Sequence, residues 1–177
     1  MKIDIFTEGS STLRDDPVDD TVAQYFGGGF MSVTSLADEL SEYGDPEIYA
    51  ISEEIGFVQG SDEVPENSGE ELEMEEFVKE KRAFRDQMEE SASTADVLVL
   101  LFTKDTFRTI VSSNWKGLVD AAKSGTIWCI ATSGKAFNTV DMDLLRDKGI
   151  EPILYERVGV ARIGNQTRAE LIEQIDG

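Results

Sequence analysis

The chain of 177 residues carries 36 acidic and 16 basic side chains, a formal charge of −20, with no histidine and a single cysteine. Without histidine there is no Ser-His-Asp or Cys-His machinery, no imidazole metal ligand and no imidazole pH switch. With one cysteine there is neither an internal disulfide nor a cysteine zinc site.

Lys2 to Phe6 (K-I-D-I-F) alternates and predicts a first strand, followed by the turn-rich loop Thr7-Glu8-Gly9-Ser10-Ser11-Thr12. An acidic connection, Asp15 to Asp20, leads to a short helix over Thr21–Phe26, which Gly27-Gly28-Gly29 breaks. Leu36, Leu40 and Tyr43 stand at helical spacing and predict a helix over Ser32–Tyr43, with Gly44 placed to terminate it. Asp45-Pro46 is expected to turn the chain into a strand over Glu47–Ser52, and Gly56–Gly60 to form an irregular loop or short extension. The polar stretch 61–69, which contains Pro65, is the expected mobile loop. Ser68-Gly69-Glu70-Glu71 has capping-box spacing and predicts a helix to about Glu90 carrying Leu72, Met74, Phe77, Val78, Phe84 and Met88. Twelve acids against four bases between Ser61 and Glu90 give that helix a solvated acidic face.

Ala95 to Phe102 (A-D-V-L-V-L-L-F) contains an uninterrupted apolar run, the pattern of a parallel strand buried on both faces, and Thr126–Thr132 (T-I-W-C-I-A-T) reads the same way. A helix is expected near Asn114–Lys123, stopped by Gly125. Another, over Asp141–Lys148, is capped by Asp141 and ended by Gly149. Glu151–Glu156 predicts a further strand, and Thr167-Arg168-Ala169-Glu170 is a second capping box opening a last helix with Leu171, Ile172 and Ile175. Strands alternate with helices throughout. That predicts an α/β fold: a single three-layer domain over 1–177, with a mostly parallel sheet and helices on both faces.

A composition 40% hydrophobic supplies a sizeable core, so the charge belongs on the surface of a folded body. A surface at −20 with only eight lysines suits a high-salt cytoplasm, where the Debye length falls to about 3 Å and like charges repel weakly. The composition points to a halophile, haloarchaeal in origin. Bare duplex nucleic acid is a poor partner, since phosphate contacts need a basic face. The strand-like start at Met1–Phe6 has no signal-peptide pattern, and no apolar stretch approaches the ~18 residues of a membrane span. A cytoplasmic protein is expected.

Ligands of such sheets bind beyond the carboxyl ends of the strands. Three loops qualify. The first is Thr7, Gly9, Ser10, Ser11 and Thr12, hydroxyl-rich around its glycine. It resembles a flavodoxin phosphate loop but lacks the T-G pair before the next helix. The second is Ser52 to Gly56, with Ser52 and Glu53 as candidates. The third is Ser133, Gly134 and Lys135, where a helix start and a lysine suit an anion, although the full Walker A spacing is absent. Arg157 and Arg162 flank Val158-Gly159-Val160-Ala161 in a chain poor in bases. They suit fork-like binding of a carboxylate or phosphate, or else internal pairing with the abundant acids. Cys129 and Trp128 read as core, and Trp115 as packing or a ligand contact.

The segment Leu36 to Val58 (L-A-D-E-L-S-E-Y-G-D-P-E-I-Y-A-I-S-E-E-I-G-F-V) resembles the helix–strand–loop of the YaaA-type peroxide-stress group and related α/β domains, whose strand ends in L-S-A-K-Y-G-L. Ala95–Arg108 is similar to that group's next strand and turn. Glu54 stands where the group has lysine, and the first strand lacks its S-C-[SG]-K-x-K ending. The resemblance implies an α/β fold and a nucleotide- or nucleic-acid-related role.

The first functional expectation is binding or processing of a nucleotide-like or phosphorylated small molecule. In that case acid–base work falls to Glu8, Glu53, Glu54 or Lys135. The second is a non-catalytic interaction or regulatory protein that uses its acidic helix. A third is carboxylate- and Mg²⁺-assisted phosphodiester chemistry. No residue pattern specifies a cofactor, a metal or an oligomeric state.

Overall fold

The computed structural model describes residues 1–66, 70–159 and 161–177. Its strands are β1 (Lys2–Glu8), β2 (Asp45–Ser52), β3 (Gly56–Gln59), β4 (Val97–Leu101), β5 (Ile127–Thr132) and β6 (Ile153–Glu156). They form a six-stranded sheet in the order β3-β2-β1-β4-β5-β6, parallel except where β3 folds back on β2. The helices are α1 (Val22–Tyr25), α2 (Phe30–Leu40), α3 (Met74–Thr94), α4 (Lys104–Thr106), α5 (Trp115–Ala121), α6 (Gly134–Phe137), α7 (Asp143–Arg146) and α8 (Asn165–Asp176).

The two apolar runs lie inside the sheet, and every residue of β4 is buried. Alternation then sorts side chains between two cores. Phe6, Leu98, Leu100, Trp128 and Ile130 face one layer, where Phe84 and Met88 of α3 and Leu118 of α5 cover them. Ile3, Ile5, Val99, Leu101 and Cys129 face the other, under Val33, Leu36 and Leu40 of α2 and Leu171 of α8. Phe84 anchors the first layer, with its ring edge-on to Phe6, Phe57 and Phe102 at centroid distances of 5.4, 5.6 and 6.0 Å. Aromatic pairs in this geometry add about 0.5–1.5 kcal/mol each beyond area burial.

The crossovers position the site. The chain leaves β1 over the α2 face to reach β2, and leaves β3 over the α3 face to reach β4, on the other side of β1. Counting the parallel strands alone, the order is 2-1-3-4-5, a doubly wound sheet whose direction of winding reverses between β1 and β4. Two successive crossovers that diverge to opposite faces leave a crevice outside the carboxyl ends of those strands.

Several elements differ from expectation for local reasons. Pro46 does not turn the chain but pairs with Ile3 inside β2, as a proline at the start of a strand can. Residues 56–59 form a true edge strand rather than an irregular loop. Gly44 is required by close approach, because a Cβ there would lie 2.3 Å from the Met1 carbonyl oxygen. Its φ is not in the left-handed region. Of the capping box at 68–71, Ser68 and Gly69 lie outside the described residues, and the helix itself starts later, at Met74. The second capping box is displaced, since α8 starts at Asn165 and buries Thr167 within it. Of the expected mobile loop, Asp62 and Val64 are tied down by hydrogen bonds between Val22 N and Asp62 O (2.8 Å) and between Val64 N and Asp20 O (3.0 Å).

Cys129 is wholly buried in β5, and burial pushes its thiol up to about 12, with Glu170 adding in the same direction. The unfolded thiol ionises near 9, so above that pH the unfolded chain gives up a proton that the folded chain retains. Stability therefore falls as pH rises from 9 toward 12, by up to about 1.4 kcal/mol per pH unit from this group. Burial also pushes Tyr49 up to about 12, which steepens the fall above pH 10. Urea unfolding of C129A between pH 9 and 10 is expected to give a shallower loss than the parent. Equal slopes would show that the thiol does not control alkaline stability.

Candidate functional site

At the reversal point lies an open cavity of about 690 Å³, within the range of small-molecule sites. Its floor comes from the loops that follow β1 (Glu8 to Ser11), β2 (Ile51 to Glu54) and β4 (Thr103 to Ile110). Phe77 and Lys81 of α3 wall one side, because the first half of that helix runs past the sheet. The overhang also explains why Met74, at 82% exposure, is left in solvent despite its helical spacing. Leu72 N donates to Glu53 O (2.8 Å), which brings Glu71 to the rim.

The β1 loop is held in place by contacts that only a glycine permits. A Cβ on Gly9 would lie 2.6 Å from the Phe26 ring and 3.1 Å from Ser52 Cβ. Gly9 N donates to Ile51 O (2.9 Å), so the loop lies against the end of β2. Arg162, 5% exposed, clasps the same loop from below. Its Nη1 donates to Thr7 Oγ1 (2.8 Å) and to the Glu8 carbonyl, and its Nη2 to Gly9 O (2.9 Å). The guanidinium also stands over the Phe30 ring, 5.5 Å from its centroid. Burial draws its pKa down to about 10, and the Glu8 charge opposes that shift.

Glu8 joins three segments. Its Oε1 accepts from Thr103 N (2.6 Å), its Oε2 accepts from Thr103 Oγ1 (2.8 Å), and Arg157 Nη1 approaches Oε1 at 3.5 Å. The carboxylate thus occupies the start of the helical run after β4. That run continues from Lys104 to Ala121 through a π segment, Phe107–Val111, and a 3₁₀ turn, Ser112–Asn114. The π segment turns Thr109 and Ile110 into the cavity wall, a placement common at functional sites.

The sequence candidates divide cleanly. Gly9, Ser10, Ser11, Ser52, Glu53 and Arg162 line the cavity. Thr7 sits beneath it, with its hydroxyl donating to Leu101 O (2.8 Å) and accepting from Arg162. Thr12 turns away, its N–H on Ser10 Oγ (3.2 Å) and its carbonyl accepting from Gly27 N. Arg157 shares this sheet edge, its N–H on Thr132 O (2.9 Å), but pairs with Glu8 and does not line the cavity. Ser133, Gly134 and Lys135 also stay outside the cavity. There the Glu156 carboxylate already stands 2.6 Å from where a Gly134 Cβ would be, and Ser133 Oγ caps Ala136 N (3.3 Å). Trp115 is packing: its Nε1 donates to Asp141 O (2.8 Å) and its ring is edge-on to Trp128.

Phe77, Lys81 and Thr103–Ile110 were not among the sequence candidates. The only trace in the sequence was the four-residue spacing of Phe77 and Lys81, which puts the ammonium 5.0 Å from the ring centroid. Among the described residues, no three Asp, Glu or Cys side chains converge as a metal site requires. No helix among them is long and apolar enough to cross a membrane. Set against known proteins, the chain matches no family model and no curated sequence.

Proposed function

We propose that this is a cytoplasmic protein of a high-salt cell that binds or processes a nucleotide-like or other phosphorylated small molecule in the cleft between β1 and β4. The observation that carries the reading is the coincidence of a ligand-sized cavity with the reversal point of a doubly wound sheet. The Gly9-Ser10-Ser11 turn and Lys81 offer polar donors at that cavity. Any acid–base step falls to Glu8, Glu53 or Glu54, which share the cavity lining, and not to Lys135, which lies outside it. The likeness of Leu36–Val58 to the YaaA-type group belongs to the same proposal, because that segment contributes Ile51 to Glu54 to the cleft.

The test is a thermal-shift screen of nucleosides, nucleotides and sugar phosphates in molar KCl. A ligand at about 100 times its Kd adds about 2.7 kcal/mol, which for a chain of this size raises Tm by about 5–10 °C. A panel that leaves Tm unchanged removes the reading. The interaction-protein alternative, favoured by the exposed Met74 and Val78 on the acidic α3, then takes its place.

A further inference from the structure

We infer that the cleft selects a nucleoside, or a nucleoside with a single phosphate, over nucleoside polyphosphates; this rests on the nucleotide-like reading above and narrows it. The argument is the charge inventory of the cavity and what each charged group is already bonded to. Five carboxylates line it: Glu8, Glu53, Glu54, Glu71 and Asp105. Two cations stand against them, Arg162 and Lys81.

Arg162 is largely spent on the protein itself: three of its five N–H donors go to Thr7, Glu8 and Gly9 oxygens of the β1 loop, and its Nε is buried without a partner. Lys81 has no carboxylate within 4 Å among the described residues, and its Nζ lies over Phe77. It is the one cation of the lining whose charged group bonds no protein oxygen among the described residues.

At the floor the position suited to an anion is already filled. The Glu8 carboxylate takes the Thr103 N–H and hydroxyl and faces Arg157. A carboxylate has about four acceptor sites and no donor, so Glu8 keeps room for a ligand hydroxyl or amine and repels a phosphate. Each phosphate brought beside a lining carboxylate adds like-charge repulsion. The neutral lining suits a sugar: Ser10, Ser11, Ser52, Thr106 and Thr109 carry hydroxyls that both donate and accept. A ribose toward Glu8, with one phosphate at Lys81, satisfies the inventory. A triphosphate adds charge that two cations, already outnumbered by five carboxylates, cannot balance.

The experiment is titration calorimetry in EDTA, at the lowest KCl concentration that keeps the protein folded. The probes are adenosine, guanosine, cytidine and uridine with their 5′-mono- and 5′-triphosphates. The nucleoside or monophosphate of the preferred base is expected to bind at least ten-fold more tightly than its triphosphate. Glu71 and Asp105 are exposed and take no part in the acid–base step, so the E71Q/D105N double variant keeps the fold. It is expected to raise triphosphate affinity about ten-fold and to leave the nucleoside within two-fold. K81A should weaken the monophosphate at least five-fold and spare the nucleoside. A triphosphate that binds the parent as tightly as the nucleoside overturns the inference while the nucleotide-like reading stands. A double variant with unchanged discrimination, or a K81A that weakens nucleoside and monophosphate equally, overturns it too. Binding by none of the twelve probes removes the nucleotide-like reading itself, and this inference with it.

Discussion

Replacing Arg162 with alanine is expected to destabilise the protein by about 3–5 kcal/mol, more than any other single polar substitution at the cleft. The side chain is buried, and three oxygens of the β1 loop and its strand depend on it: Thr7 Oγ1, Glu8 O and Gly9 O. Its removal takes the buried charged donor from all three, and of them Thr7 Oγ1 keeps its own bond to Leu101 O. Each buried polar group left without a partner costs about 1–3 kcal/mol, and hydrogen bonds from a charged donor lie at the upper end. The lost stem also uncovers one face of the Phe30 ring. Lysine keeps the charge but not the planar fork, so R162K should recover less than half of the loss. Urea unfolding at fixed KCl measures both variants. A loss below about 1 kcal/mol for R162A would mean that the loop holds its shape without the clasp.

How far the cleft could be read in the sequence depends on the range of the interactions that build it. The strands β4 and β5 were legible because a continuous apolar run bounded by turns has few other uses in an α/β chain. The base-poor pair Arg157 and Arg162 also stood out. Their division of labour did not, because it is set by partners about 150 residues away: Glu8 for the first, the Glu8 and Gly9 carbonyls for the second. The Ser133–Lys135 helix start offered free N–H groups and a lysine suited to an anion, without the full Walker A spacing. It failed as a cavity residue set because β6 delivers Glu156 to the same place. Residues 104–113 do not read as helix in the sequence because Thr and Ser dilute the 3.6-residue period, and a π segment shifts its phase. Phe77 and Lys81 were assigned to a helix correctly, but the overhang that turns them into a wall depends on where β4 ends relative to α3.

Raising KCl from 0.1 to 2 M is expected to increase Tm by about 10–20 °C. Seven ion pairs among the described residues engage seven of the 36 acidic side chains, through Asp4, Glu8, Glu39, Asp96, Asp120, Asp143 and Glu151. The remaining carboxylates lack such a partner, and many lie on exposed positions of α3 and of the 15–20 connection. At 0.1 M the Debye length is about 10 Å, longer than the spacing of neighbours on such a surface, so their repulsions add. Near molar salt it falls to about 3 Å and those repulsions largely vanish, whereas the unfolded chain, already expanded, gains less. A relief of about 5 kcal/mol corresponds to the stated shift for a chain of this length. The ion pairs act in the opposite sense, because salt weakens exposed pairs, but each contributes at most about 1 kcal/mol and they are few. Potassium chloride is the proper salt for the measurement, since sulfate would also strengthen apolar burial and raise Tm for a different reason. A Tm that is flat or falls with KCl would show that the carboxylate surface is not adapted to high salt. That outcome would remove the halophilic assignment without touching the fold or the cleft.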